Sequence, residues 1–149
     1  MPELVLKMVD KGVVRLDSTK HPYPIAYHDP CNLGRKSGIR KSGIFESPRR
    51  LLAHCCQEVV ELEPNRQNSI CCGGGGGLLQ DSTSIERRMI AGKAKASQMR
   101  TAGVKHVATA CLSCNRQLSE LSKYYDLDVR VRTVADIAVE AMSSEQVLY

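Results

Sequence analysis

The sequence of 149 residues contains no tryptophan and a single phenylalanine, beside five tyrosines. Aliphatic side chains must therefore supply most of the hydrophobic core, and few aromatic rings are present on which nucleic-acid bases could stack. The net charge of +5 is modest, and its cations are spread along the chain apart from Arg35-Lys36 and Arg40-Lys41. We therefore expect no nucleic-acid partner. The duplicated Arg-Lys-Ser-Gly-Ile of residues 35–44 is expected to be a solvated insertion, with docking of an acidic protein as the alternative.

The chain also lacks the segments that would take it into or across a membrane. No apolar run approaches the roughly 20 residues that a helix needs to span a bilayer. The N-terminus does not have the pattern of a secretory signal, because Glu3, Lys7 and Asp10 interrupt its apolar residues. We expect a cytoplasmic location with no direct membrane insertion, and peripheral attachment to the inner face of the membrane only through partner subunits.

Cysteine, by contrast, is abundant, with seven residues. Without an export signal, this number argues against a disulfide framework and for a metal or redox role in a reducing compartment. Five of the cysteines form three groups, namely Cys31, Cys71-Cys72 and the C-x-x-C pair of Cys111 and Cys114. The gaps between the groups, residues 32–70 and 73–110, are nearly equal, and each can hold a helix and a strand. A repeating fold would thus bring five thiols to one place.

Five glycines, Gly73–Gly77, follow the double cysteine directly. Neighbouring side chains of a strand point to opposite faces, so two adjacent thiols reach one centre only if the backbone turns sharply. Glycine permits the positive φ angles of such a turn and lets backbone N–H groups approach whatever the sulfurs hold. We therefore expect Gly73, Gly74 and Gly75 to contribute to a cofactor site. A flexible loop with incidental cysteines is the alternative.

Strand and helix patterns alternate along the chain. Residues 1–23 are predicted to be a lead-in with a helix over 3–11 and a strand over 13–16, and residues 24–149 to be one cysteine-rich domain of a larger protein. The predicted strands are 24–28, 59–62, 105–110 and 129–131, and the predicted helices are 48–56, 84–102, 112–124 and 135–142. The alternation predicts an α/β fold with a mainly parallel sheet of about four strands and flanking helices. The cysteines would gather at the C-terminal rim of the strands, where sites form in such sheets.

Single side chains within these elements can be assigned as well. Ser47 is expected to cap the helix that Pro48 begins. Cys55 is expected to pack in the core and Cys56 to be a surface thiol, and neither they nor His54 are expected to bind metal. On the helix 84–102, the side chains expected inside are Ile85, Met89, Ala96 and Met99, and those expected outside are Lys93, Lys95 and Arg100.

The C-x-x-C pair opens the helix at 112–124, where free N–H groups and the helix dipole favour thiolate over thiol. By itself the pair fits either a redox-active dithiol or half of a zinc site. Zinc takes four ligands and an ordinary iron–sulfur cube takes four cysteines, so five thiols leave one spare in either case. The surplus favours an iron–sulfur centre that is not an ordinary cube.

The cysteine spacing and its flanks together resemble the cysteine-rich CCG domain of the heterodisulfide reductase family. The flanks are HDPCNLGR, ESPRRLL, EPNR and CCGGGGG, and the likeness covers residues 24–125. The chain most resembles the catalytic iron–sulfur subunits of membrane-associated redox complexes in sulfate reducers and methanogens.

This resemblance implies a noncubane [4Fe-4S] cluster that receives electrons and reduces a disulfide of a small molecule or a small protein. At the matching positions the ligands would be Cys31, Cys71, Cys72, Cys111 and Cys114. The family's ferredoxin-like domain is not part of this sequence, so electrons would come from a ferredoxin-like partner or a membrane haem or quinone subunit. His28 is a candidate proton donor, because imidazole titrates near neutral pH, and a structural role beside Asp29-Pro30 is the alternative.

Two other functions stay open at this point. One is a non-catalytic electron-transfer or anchoring module of a redox complex. The other is a structural zinc domain in which four of the five cysteines hold the metal. Zinc is also the metal expected in a recombinant or cluster-free form.

Overall fold

A computed structural model describes residues 1–39 and 42–143. Its sheet has four parallel strands in the order β2-β1-β3-β4, with β1 at Pro24–His28, β2 at Glu58–Glu61, β3 at His106–Thr109 and β4 at Arg130–Thr133. The helices are α1 (Pro2–Asp10), α2 (Glu46–Cys55), α3 (Ile85–Ala102), α4 (Leu112–Tyr124) and α5 (Val134–Ala141). The predicted α/β class is confirmed. Arg40 and Lys41 of the basic segment, and residues 144–149, lie outside the described residues.

The strand order contains a change of direction between β1 and β3. From β1 the chain crosses to β2 on one side, and from β3 it crosses to β4 on the other. Because β-α-β crossovers are right-handed, opposite directions place their helices on opposite faces of the sheet. Accordingly, Ile25 and Tyr27 of β1 pack with Leu51 of α2, whereas Ala26 between them packs with Leu118 of α4. A crevice therefore opens beyond the carboxyl ends of β1 and β3, where such sheets hold ligands.

Two predictions for α3 are wrong. Lys95, expected outside, is only 1% exposed, and Ile85, expected inside, is 48% exposed. The buried face of the helix carries Arg88, Met89, Gly92, Lys95, Ala96, Gln98 and Met99. Polar and apolar side chains are mixed on that face, so hydrophobic periodicity misplaces it. Met89, Ala96 and Met99 are buried as predicted.

The start of α2 also differs from the prediction. The helix begins at Glu46 with Phe45 at the N-cap position, and the Ser47 hydroxyl has no hydrogen-bond partner among the described residues. The Phe45 ring packs against the backbone at Gly34, where a Cβ would lie 2.5 Å from a ring carbon. Aromatic packing, and not capping by Ser47, thus fixes the entry to this helix.

The two cysteines outside the predicted site are both buried. The thiol of Cys55 donates to the Leu51 carbonyl oxygen over 3.0 Å, in agreement with the predicted core position. The prediction of a surface thiol at Cys56 is wrong, because this residue joins the core cluster that α2 forms with β1 and α5.

The lead-in contributes one helix and no regular strand among its described residues. Leu6 of α1 packs into the core beside α2 and α5. The strand predicted over 13–16 is reduced to a single antiparallel bridge between Leu16 and Met142. Within residues 1–39 and 42–143, no helix is long and apolar enough to cross a membrane.

Candidate metal centre

Three groups of cysteines converge at the crevice between β1 and β3. Cys31 follows β1, Cys111 and Cys114 begin α4 directly after β3, and Cys71 and Cys72 arrive on the loop between β2 and α3. The five thiols line one cavity of about 40 Å³, together with Pro30, Asn32, Gly74, Gly75 and Ser113. The structure thus brings together all the cysteines that were predicted to bind metal, and their role as ligands stays a prediction.

The five thiols differ in exposure. Cys72 and Cys114 are buried, Cys31 and Cys111 are half-buried, and Cys71 is exposed. All are free thiols, and Cys72 donates a hydrogen bond to Cys114 Sγ over 3.4 Å. The cavity therefore has a buried floor, formed by Cys72 and Cys114, and a mouth that faces solvent, formed by the other three.

Cys71 and Cys72 hold their protons in the absence of metal. The hydrogen bond to Cys114 is the main cause that raises the pKa of Cys72 to about 12. The hydrogen bond with Cys72, followed by burial, raises the pKa of Cys71 well above its ordinary value. A metal that binds here must displace these protons, so its affinity will decrease at low pH.

The glycine run is tightly packed at its start and open further on. Gly73 has a φ of +85°, and its N–H donates to Cys71 Sγ over 3.4 Å. A Cβ on Gly73 would lie 2.8 Å from a backbone nitrogen of α3, and one on Gly74 would lie 2.7 Å from Gln117 Cβ of α4. A Cβ on Gly75 would meet nothing within 4 Å. The first two glycines let the loop fit between the two helices, whereas Gly75 only lines the cavity.

Gly92 of α3 completes this close approach and was missed in the sequence. A Cβ there would lie 2.7 Å from both δ carbons of Leu121 and 2.9 Å from the Cys72 carbonyl oxygen. A signal was present, since glycine inside a helix costs about 1 kcal/mol relative to alanine and commonly has a packing reason.

His28, the last residue of β1, lies beside the two thiols that form the floor of the cavity. Its side chain is buried, and neither ring nitrogen has a hydrogen-bond partner among the described residues. One ring nitrogen, Cys72 Sγ and Cys114 Sγ lie within 4.8 Å of one another. Burial, with the charge of Lys95 as the smaller cause, lowers the pKa of His28 well below its ordinary value, so the ring is neutral at pH 7. A neutral imidazole offers one N–H to sulfur or one lone pair to a metal, and its role as proton donor stays a prediction.

An ion network holds the segment that carries Cys31. Both carboxylate oxygens of Asp29 accept hydrogen bonds of 2.7 Å from the Arg49 guanidinium, and one also accepts from the Arg66 backbone N–H at 2.8 Å. Arg49 donates to both carboxylate oxygens of Glu61 as well, again at 2.7 Å. Asp29, Arg49 and Arg66 come from the flanks HDPC, ESPRR and EPNR, to which no role had been assigned. These flanks join the ends of β1 and β2 to α2 and so position Cys31.

The donor set fits a thiolate-rich metal centre. Thiolate sulfur and imidazole nitrogen are ligands of both zinc and iron, and iron–sulfur clusters are held by cysteine thiolates. Five free thiols and an imidazole without other partners among the described residues meet in one place. The N–H of Gly73 beside a sulfur is the kind of outer contact that tunes such centres. Fold and site therefore define a parallel α/β domain with a metal site at the C-terminal rim of its sheet.

Comparison with known families agrees with this class. A family model described as the CCG cysteine-rich domain matches residues 25–119, which include all five thiols of the cavity. The match covers more than half of the chain. The chain belongs to the CCG cysteine-rich domain family, and the resemblance predicted from its cysteine pattern is confirmed.

Curated relatives place the domain within longer proteins. One is a component of the dihydromethanophenazine:CoB–CoM heterodisulfide reductase of Methanosarcina barkeri, 29% identical over 135 residues, and another is its counterpart from Methanosarcina acetivorans, 29% identical over 143 residues. The alignments cover 87% and 95% of this chain but 31% and 32% of the relatives. The chain thus spans about a third of the length of these relatives. No solved structure matches the chain.

Proposed function

We propose that the chain is an iron–sulfur redox domain of heterodisulfide reductase type, which receives electrons and reduces a disulfide. The observation that carries the proposal is the gathering of five free thiols around one cavity that opens to solvent. Membership of the CCG family and relatives named as heterodisulfide reductase subunits support an iron–sulfur redox role. Because zinc requires only four ligands, the fifth thiol favours a cluster, and we propose the noncubane [4Fe-4S] type.

The chain's own residues would divide the work of the site. Cys72 and Cys114 would hold the buried side of the cluster, and Cys31, Cys71 and Cys111 the side that faces the mouth. When bound, the cluster supplies electrons one at a time and offers iron to a substrate sulfur. The mouth is where a disulfide can approach, since its thiols are exposed or half-buried whereas Cys72 and Cys114 are buried. Reduction of the disulfide takes up two electrons and two protons and releases two thiols.

His28 is the proton donor that we propose for this reaction. Its imidazole lies beside Cys72 and Cys114, and its ring nitrogens have no other partner among the described residues. Proton transfer requires hydrogen-bond reach, and the sulfurs that His28 faces are those of Cys72 and Cys114, so the imidazole would exchange its proton with these thiols and not directly with a substrate at the mouth.

Partners follow from the same proposal. The named relatives are themselves subunits of a reductase, which supports an electron-donating partner for this chain, either ferredoxin-like or a membrane haem or quinone subunit. The disulfide would belong to a small molecule or a small protein. Such a domain would work in the cytoplasm, on the inner face of the membrane where its partner is a membrane subunit.

A zinc site is the second candidate, and one observation favours it. His28, Cys72 and Cys114 already form a compact group of three potential ligands. One further thiol would complete the four ligands of structural zinc, and the domain would then have no redox role.

The metal content of the protein separates these two candidates. After anaerobic purification and reconstitution with iron and sulfide, we expect about four irons per chain with matching sulfide. Cys72→Ala should lose this iron and Cys56→Ala should retain it, because both thiols are buried but only Cys72 lines the cavity. Zinc that persists through reconstitution, or equal loss of iron in both variants, would contradict the proposal.

Turnover then distinguishes an enzyme from an electron-transfer module. The iron-loaded protein should oxidise an artificial one-electron donor only when a disulfide is supplied, and should release two thiols for every two electrons consumed. A cluster that is reduced by the donor but releases no thiol from any disulfide tested would leave an electron-transfer role.

A further inference from the structure

The buried face of α3 carries a cation without a carboxylate partner. Lys95 of α3 is 1% exposed, and its ammonium group donates to Oε1 of Gln98, whose amide in turn donates to the Pro64 carbonyl oxygen over 3.1 Å. Within residues 1–39 and 42–143, no carboxylate lies within ion-pair distance of this ammonium group. The other buried cations of the described chain each have a carboxylate partner, namely Arg49, Arg88 and Arg132.

The groups whose negative charge would act on Lys95 are Asp29 and three cysteines of the site. Burial lowers the pKa of Lys95 to about 8, and the groups that oppose this effect are Asp29, Cys72, Cys114 and Cys71. Both carboxylate oxygens of Asp29 are already occupied by guanidinium and backbone donors. The three remaining groups are cysteine thiols of the site, which gain negative charge when a metal displaces their protons.

A backbone contact places the face of α3 that carries Lys95 against the double cysteine. The carbonyl oxygen of Cys72 lies against Gly92, where a Cβ would approach it to 2.9 Å. Lys95 follows Gly92 by three residues, which puts both on the same face of α3. Lys95 therefore lies on the helix face that supports the double cysteine.

An isolated buried charge costs several kcal/mol unless an opposite charge compensates it. Metal-bound thiolates carry that opposite charge. We propose that Lys95 is the positioning counter-charge of the metal centre, which stabilises the thiolate-bound state and favours the reduced form of the cluster. The statement on reduction rests on the proposed iron–sulfur function, whereas the statement on thiolate binding applies to any thiolate-bound metal.

A purely structural role of Lys95 predicts the opposite change in the thermal midpoint of the metal-free protein. If Lys95 served only to tie α3 to Pro64 through Gln98, its loss would lower the thermal midpoint of the apo-protein and leave metal binding unchanged. If it is an uncompensated cation waiting for an anion, its loss should leave the midpoint unchanged or raise it.

The test compares Lys95→Met with Lys93→Met, which removes an exposed lysine from the same helix. Affinity for Co²⁺ is read from the sulfur-to-cobalt absorption of the reduced apo-protein, and the midpoint potential is read from a redox titration of the reconstituted cluster. For Lys95→Met we expect a 10- to 100-fold loss of Co²⁺ affinity, about the effect of removing an outer-shell partner. We also expect the midpoint potential of the cluster to be lower by about 59 mV, which corresponds to a tenfold change in the equilibrium constant of a one-electron couple. Lys93→Met should match the wild type.

Two further variants fix the interpretation. Lys95→Arg keeps the charge and should recover most of the affinity, and Lys95→Gln is a second neutral variant that can still bond to Gln98. Wild-type affinity and potential in Lys95→Met or Lys95→Gln would overturn the proposal. A neutral variant whose apo-form fails to fold would also overturn it, because the proposal requires that the buried charge itself destabilises the metal-free protein. If cobalt affinity shifts as expected but no iron–sulfur cluster can be assembled, the proposed function fails and the role of Lys95 stands.

Discussion

Two glycines of the same loop should respond differently to alanine. Gly73 has a φ of +85°, and an L-residue in the left-handed region costs about 1–2 kcal/mol. Its new Cβ would lie 2.8 Å and 3.0 Å from backbone atoms of α3, which cannot move aside as a flexible side chain can. Overpacking of this kind costs about 1–3 kcal/mol. Gly73→Ala should therefore lower the free energy of unfolding by about 2–5 kcal/mol.

Gly75→Ala is the matched control. A Cβ at Gly75 would meet nothing within 4 Å, and its φ is not in the left-handed region. Its effect on the free energy of unfolding should stay within about 0.5 kcal/mol, as for ordinary surface substitutions. Urea denaturation of the reduced, metal-free proteins, followed by circular dichroism, measures both changes.

Metal content tests the same pair for a cofactor role. Equal destabilisation by the two substitutions, or none by Gly73→Ala, would refute the packing argument. If Gly75→Ala folds normally but takes up no iron, this glycine serves the cofactor directly, as the sequence had predicted for the run.

Two further predictions concern the floor and its support. Arg49→Met should lower the free energy of unfolding by about 3–5 kcal/mol, because it leaves Asp29 buried without its partner. Arg50→Met, at an exposed position, should lower it by less than about 1 kcal/mol. Similar urea midpoints for the two variants would contradict the role of the network. The pKa of His28 is lower in the folded chain than in the unfolded chain, so below pH 6.5 the unfolded chain binds more protons. The contribution of His28 to the free energy of unfolding is therefore complete above pH 6.5 and decreases below it by up to about 1.4 kcal/mol per pH unit. His28→Gln should flatten this slope between pH 6.5 and about pH 5 in urea titrations of the metal-free protein, and an unchanged slope would show that other groups cause it.

The sheet and the place of the site could be predicted because both depend on local pattern. Buried strands followed by helices indicate parallel crossovers, and parallel strands end at one rim. A cysteine that directly follows a strand, such as Cys31 or Cys111, must then lie at that rim. The crevice itself depends on the strand order, which the linear pattern of strands and helices does not contain.

The features that could not be predicted depend on contacts between distant elements. Lysine is normally exposed, so periodicity places Lys95 outside, and only the packing of α3 against the double cysteine buries it. Cys56 lies just beyond the end of α2, and its burial depends on how the chain turns into β2. The pairing of Asp29 with Arg49 joins a strand end to a helix, and neither residue carries a sign of its partner.

The site has unlike sides, and this asymmetry limits how any reaction there can proceed. The floor is formed by Cys72 and Cys114, with His28 beside these two thiols and Lys95 on the buried face of α3. The mouth consists of thiols with solvent exposure. A buried floor with a cation near it favours retention of an anionic centre, but it offers no path for a substrate. In the proposed reaction the disulfide would therefore approach from the mouth, where Cys31, Cys71 and Cys111 have solvent exposure.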